Sequence, residues 1–308
     1  AQLSAQVPYD RILKAAAEHA DGYVRFRALV LMTGFNDPRV DGAMKEALVS
    51  PNDRLRTVAY GYVERYPDPA LVPMLLAALD KEQAEFVRPA VVRALAAHGA
   101  DSRVQPVLVR DIGRGEDLFR SAVIEALGEH RATYAIDALT STAGLDGPLQ
   151  DDAVLALGRI GDARALQTLA SLQSSAPRDR QSSIAAAICL LGVNCGSHES
   201  FLINTLQFAD KHLGFQPLLR SAATGLGALA VSGRESALVA LLDIGIPSRD
   251  PTRAPVALAA ERQPQATTPA ELRAAIAEVL AELTLADAQA AFRAIARANP
   301  GGLGSAAQ

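Results

Sequence analysis

The chain has 308 residues, 49% hydrophobic and 21% charged, which is enough apolar material for a large core and too much for a disordered chain. A formal net charge of −4 gives no overall pull toward nucleic acid or an anionic membrane, and no run of about 18 apolar residues exists to span one. Only 5% of residues are aromatic and none is Trp, whereas Ala and Leu abound, so close helix packing is expected rather than sheets: an all-α chain. Four lysines among 30 basic residues leave 26 arginines, which with the alanine excess suggests a GC-rich bacterial genome.

In chain order, residues 8–20 (PYDRILKAAAEHA) form one amphipathic helix that can cap the first repeat. From Val24 a first helix recurs: VRFRALVLM at Val24, LRTVAYGYV at Leu55, VRPAVVRAL at Val87, FRSAVIEAL at Phe119 and LQDDAVLAL at Leu149, in steps of 31, 32, 32 and 30. RQSSIAAAICLLG at Arg180 and LRSAATGLGAL at Leu219 continue it more loosely. A period near 32 residues, carried by helix–turn–helix units, marks a solenoid in which each unit buries its apolar face only against its neighbours. The array spans residues 24–245 in seven units.

Second helices follow turns of shared chemistry, with Asp37, Asp68, Asp101 and Asp162 at the cap position and Pro38 and Pro69 at the first helical position, where a missing N–H costs nothing. The unit is clearest at DDAVLALGRIGDARALQTLASL, Asp151 to Leu172, where Gly161 can take the positive φ that ends a helix and Asp162 can open the next. LGRIGDARALQTL resembles the HEAT-like repeats of the phycobilisome-lyase type, a large class of bacterial α-solenoids. The resemblance implies a right-handed α-α superhelix, a HEAT-repeat solenoid, of about eight helix pairs, with binding as its general work.

After the array, five prolines (Pro247, Pro251, Pro255, Pro264 and Pro269) forbid a continuous helix, so residues 246–270 read as a linker or a surface loop. ELRAAIAEVLAEL and ADAQAAFRAIARA make a last helix pair within 271–298, and 299–308 reads as a disordered tail.

Arginine recurs at the second position of the first helix, at Arg25, Arg56, Arg88, Arg120 and approximately Arg220, and a second set follows the cap aspartates at Arg39, Arg103 and Arg164. Two uses compete: a ladder gripping phosphates or an acidic partner, or an internal ladder in which each Arg pairs with a loop Asp or a helix-end carbonyl of the next unit. The resemblance and the net charge favour the internal one. Cys189 and Cys195 lie in what reads as an enlarged loop, with Cys189 at a partly exposed position. They are a possible disulfide, two unrelated thiols, or a reactive Cys195 near His198. Compartment follows chemistry: a bridge favours the periplasm, and otherwise cytoplasm and periplasm both stand.

His19, His98, His130, His198 and His212 form no metal-ligand spacing. HEAT-like deoxyhypusine hydroxylases hold two irons with several His-Glu dipeptides, and the single His198-Glu199 here is too few. No nucleophile elbow, P-loop or dinucleotide fingerprint appears, so neither catalytic residues nor a cofactor or metal is expected.

Eight of the 14 aromatics fall in the first 86 residues. Tyr60, Tyr62 and Tyr66 cannot share one narrow seam, since helix positions two apart diverge by about 200°. At least one should reach the surface, which makes the three candidate partner anchors; the competing and favoured reading is that they fill the core at the end of the stack, with only the hydroxyl wet. The expected function is a non-enzymatic scaffold or adaptor that binds another protein or a multi-protein complex on a concave face lined by the second helices. Two alternatives are a nucleic-acid binder like the HEAT-like DNA glycosylases, poorly served by an acidic chain without Trp, and an enzyme-associated subunit of the bilin-lyase type.

Overall fold

Two of the helices start where a short polar side chain catches a free amide. Asp21 accepts from the Tyr23 N–H at 2.8 Å and opens α2 (Gly22–Met32), and Asn52 accepts from the Arg54 N–H at 3.0 Å and opens α4 (Asp53–Arg65). The computed structural model describes residues 9–33, 38–178, 180–212 and 215–245. Regular structure among them is entirely helical. Pro8, Asp37 and the expected segments 246–270, 271–298 and 299–308 lie outside the described residues.

The helices in order are α1 (Tyr9–Glu18), α2, α3 (Pro38–Leu48), α4, α5 (Val72–Lys81), α6 (Arg88–Ala96), α7 (Gln105–Asp111), α8 (Asp117–Glu129), α9 (Ile136–Ala143), α10 (Gln150–Ile160), α11 (Leu166–Ser175), α12 (Gln181–Leu190), α13 (Cys195–Lys211), α14 (Gln216–Val231) and α15 (Glu235–Gly245). They fall into two compact units, Ala1–Ala138 and Leu139–Gln308.

In the first unit α2, α4, α6 and α8 lie side by side, each against the next. The second helices do not pack chiefly on the helix before them. Instead α3 lies on α4, α5 on α6 and α7 on α8, and α1 lies on α2 in the same way. The hairpin that forms the packing unit is therefore a second helix with the first helix that comes after it, half a period out of phase with the sequence alignment. In the second unit α10 packs on α12 and α12 on α14, with α11 and α13 laid on α12 and α15 on α14.

First helices inside the stack, unlike α2 at its start, are buried on most sides. In α10 the run Ala153 to Gly158 is buried without a break, and in α12 the run Ser182 to Cys189. Second helices bury only a stripe, such as Val72, Leu75 and Leu79 in α5. Such crowding requires small residues at the crossings: a Cβ on Gly158 would stand 2.6 Å from the Ala187 Cα, and one on Gly225 3.1 Å from the Ser182 carbonyl. Gly161 takes φ 78° as the left-handed end of α10, as the sequence predicts. The cap aspartates act one step earlier than expected. Asp68 and Asp162 open 3-10 turns, Pro69–Leu71 and Ala163–Ala165, which then run into α5 and α11.

Two glycine substitutions should therefore move stability in opposite directions. Gly158→Ala forces α10 from α12 and should cost about 2 kcal/mol or more in urea unfolding. Gly61→Ala, in mid-α4 with nothing within 4 Å of the new Cβ, should gain about 0.5–1 kcal/mol.

Candidate functional site

Between α3 and the end of α4 the first unit opens into a groove of about 410 Å³. Its apolar part is Met44 and Leu48 from α3, Val63 and Tyr66 from the end of α4, and the Pro67–Leu71 turn. The Tyr62 hydroxyl donates to Asp41 Oδ1 at 2.6 Å and its ring lies 4.8 Å from that of Tyr66, so α3 fixes one aromatic and that aromatic fixes the other. Lys45 Nζ bridges the rim to Asp68 Oδ2 at 3.2 Å. The Ala70 amide, against the opposing effect of burial and with help from Lys45, holds the Asp68 carboxyl below its ordinary range. Arg65 is exposed at the mouth. The groove thus offers an apolar floor with two carboxylates and two cations around it.

The three tyrosines separate. Tyr60 and Tyr62 are each only 3% exposed, which corrects their assignment as surface anchors; Tyr66, half-buried, is the one whose ring a partner can touch. The premise that residues two apart diverge is right, but α4 is enclosed by α2, α3 and α6, so diverging directions both meet protein. Burial, and then the Glu82 charge, push the Tyr60 phenol pKa up. Asp41, Met44, Lys45 and Arg65 were missed by sequence reasoning, although Asp41 and Lys45, one turn apart on α3, carry a legible signal that they share a face.

The arginine rows do not form one Arg/Asp ladder. Arg56 is the most fully engaged: its Nε and Nη2 pair with Glu82 at 2.8 and 2.9 Å, Nη2 also reaches Asp53 at 2.7 Å, and Nη1 donates to the Ser50 carbonyl at 2.9 Å. Arg120 donates to the Ile112 carbonyl at 2.9 Å and pairs with Asp117, and in the second unit Arg180 donates to Gln150 and to the Gly147 carbonyl. The Ile112 carbonyl ends α7, and those of Ser50 and Gly147 lie in the turns after α3 and α9, so none belongs to the next unit. Arg88 lies 3.9 Å over the Phe119 ring, and Arg25 Nε is buried without a partner. Arg220 is exposed on α14. Cap aspartates engage their own turns instead: Asp101 takes Arg103 through side chain and amide, which holds its carboxyl down at about 2, and Asp162 does the same with Arg164.

The supposed loop around the cysteines is mostly helix. Leu191 to Asn194 link α12 directly to α13, which starts at Cys195, and the two cysteines are joined as a disulfide with Cα atoms 4.2 Å apart. Cys189 is 4% exposed, not partly open, because α13 and α14 cover α12 where Glu125 in α8 meets solvent. Desolvation lowers the half-buried His198 pKa. Glu199 is buried, accepting from Ser236 and facing Arg234 Nη1 at 3.7 Å. No group of three or more metal-binding side chains occurs among the described residues, and no helix there is long and apolar enough to cross a membrane.

Residues 9–96 match the family of HEAT repeats. The chain carries HEAT repeats. The match runs from the first residue of α1 to the last of α6, which is three of the hairpins defined by packing and includes the α3–α4 groove. Among solved structures, the HEAT array is similar to the complex of CpcE and CpcF of phycocyanin lyase from Nostoc sp. PCC7120, at 21% identity over 79% of this chain and 97% of that one, TM-score 0.46. Human deoxyhypusine hydroxylase in complex with glycerol is similar at 19% identity over 89% and 95%, TM-score 0.35. No curated protein matches the chain.

Arg56→Ala should give a pH-dependent loss of stability. Burial pushes Glu82 up while Arg56 and the Ala84 amide pull it further down, so its net pKa lies below the ordinary 4.5. A carboxyl lowered by folding adds stability above that ordinary value and loses it as pH falls through the folded value. The variant should therefore lose about 2 kcal/mol at neutral pH, with side chains 15% and 8% exposed in the native pair, and the gap to wild type should narrow below about pH 4.5 as Glu82 takes up a proton. Chemical denaturation across pH reads this directly.

For the cysteines, closing a six-residue separation should stabilise by about 2 kcal/mol in the chain-entropy account. Thermal melts with and without reductant should differ accordingly. Coincident melts, with both thiols alkylated in the unreduced unfolded chain by mass spectrometry, would remove the bridge.

Proposed function

We propose that the chain is a non-enzymatic scaffold that binds another protein, and that the α3–α4 groove of its HEAT repeats is a contact site. The observation that carries this reading is Tyr66: a half-buried ring set by the Tyr62–Asp41 hydrogen bond beside Met44 and Leu48, with Arg65 exposed at the mouth. A positioned aromatic over an apolar floor, ringed by groups of both signs, is the kind of anchor around which protein interfaces concentrate their energy.

The reading is tested with a photo-crosslinking phenylalanine analogue in place of Tyr66 in the native cell. A discrete protein adduct should form at 66 and not at the exposed control Arg54, and Arg65→Glu should abolish it. Adducts that are identical at both positions, or that contain nucleic acid instead of protein, sink the proposal.

A further inference from the structure

We propose that the start of α2 binds a carboxylate of an acidic segment on a partner protein, held between Arg25 and Asn52. The site stands at the opposite end of α4 from the Tyr66 groove and does not depend on it. Each arginine of the row has a characteristic residue three places before it, one helical turn back. Arg56 pairs there with Asp53 at 2.7 Å, and Arg120 with Asp117 at 3.0 Å. Arg88 has Glu85 at that place and lies over the Phe119 ring. Arg25 has Gly22, and the first turn of α2 contains no acid.

Two donors converge on Gly22 instead. The position that a Cβ of residue 22 would take is 4.0 Å from Arg25 Nη2 and 3.7 Å from Asn52 Nδ2. The Asn52 amide is oriented by its own cap bond, in which Oδ1 accepts from the Arg54 N–H at 3.0 Å and Nδ2 is left on the side of Gly22. Arg56 receives the acceptor Glu82 from the turn that leads into the next first helix, whereas the corresponding turn before α4 brings the donor Asn52 to the start of α2. Among the described residues Arg25 makes no hydrogen bond or ion pair, and its Nε is buried without a partner in a half-buried side chain. A guanidinium already partly stripped of water and not yet paired gains from an incoming charged acceptor. The neighbouring acids are committed: Asp21 accepts from the Tyr23 N–H at 2.8 Å as the cap of α2, and Asp53 is held by Arg56.

The repeat itself indicates the ligand. Gly22 leaves the room of an aspartate side chain, the group that occupies this place at Asp53 and Asp117, and a carboxylate can accept from a guanidinium and an amide together. A nucleic-acid strand would need a row of free cations, and Arg56 and Arg120 in this row are already paired. Tyr23, the residue after Gly22, is 59% exposed with its ring 6.4 Å from that of Phe26, so aromatic surface adjoins the donors for the rest of a peptide to cover.

A labelled peptide of alternating Asp and Leu should be titrated with the full chain and followed by fluorescence anisotropy, with the Asn/Leu counterpart as control. The Asp peptide should bind, more weakly at high salt, and the Asn peptide should bind at least about tenfold less tightly. Gly22→Asp supplies the carboxylate from within the chain, so it should weaken binding about tenfold, a loss of about 1.4 kcal/mol, while melting no lower than wild type. Arg25→Gln should weaken it to a similar extent. Gly61→Asp, the same change at an exposed glycine of α4 with nothing within 4 Å, should leave binding unchanged, as should Tyr66→Ala, which separates this site from the α3–α4 groove. Circular dichroism melts verify that each variant is folded. Full binding by Gly22→Asp or Arg25→Gln, an equal loss in Gly61→Asp, or an Asn peptide or single-stranded oligonucleotide that binds as tightly as the Asp peptide overturns the proposal.

Discussion

The first helices of the array are packed on nearly all sides, and most other features of the chain answer to that crowding. A helix with a single buried stripe tolerates almost any residue on its far face. A helix enclosed by a preceding first helix, a following one and a second helix has little far face left. That is why Gly158 sits against Ala187, why eight consecutive residues of α12 are out of contact with water, and why Tyr60 and Tyr62 are buried though they point apart. Ala, Gly and Ser supply the closeness, and Leu fills what remains between layers.

Crowding also dictates where charge can stand. The interior of the stack takes a charge only with a partner, as at Glu199 with Ser236 and Arg234, and arginine enters at the second position of a first helix, where its stem lies along protein and its guanidinium emerges at the helix end. There Arg120 finds the Ile112 carbonyl at the end of α7, a group that the helix itself cannot satisfy, and Arg56 finds that of Ser50 in the turn after α3. Arginines of one row thus serve different ends, since Arg88 stacks on Phe119 instead, and a row of cations in such a sequence is poor grounds for a phosphate site. Glu82 shows the same economy, since one carboxylate closes both the Arg56 fork and the Ala84 amide.

The helical class, the period and the turn chemistry were legible in the sequence because each rests on local rules: alanine and leucine content, spacing, Gly161 at a positive φ and Asp162 at a cap. Phase was not legible. Aligning first helices fixes the distance between units but says nothing of whether a second helix lies on the first helix before it or after it; packing decides for the latter in the first unit, while α13 lies on first helices at both sides. Exposure failed for the same reason at Tyr62 and Cys189, where the number of neighbouring helices, a tertiary quantity, outweighs the position within one helix. The groove's Asp41 and Lys45 were hidden differently: nothing in α3 alone tells that the Tyr62 hydroxyl and Asp68 will come to meet them.

If first helices are enclosed and helix ends are occupied by arginine, binding chemistry has two places left. One is the stripe of a second helix turned away from the stack, together with the turn that succeeds a first helix, and there Tyr66 and Lys45 stand. The other is the stretch that leads into a first helix, the turn before it or its opening residues, ahead of the crowded seam. It carries no packing duty, so a polar residue there, as at Arg54, would serve the fold equally well. Phe86 and Leu118 occupy that position with apolar side chains in neighbouring repeats, at the free-energy cost of keeping both in water. Packing within the unit does not repay that cost.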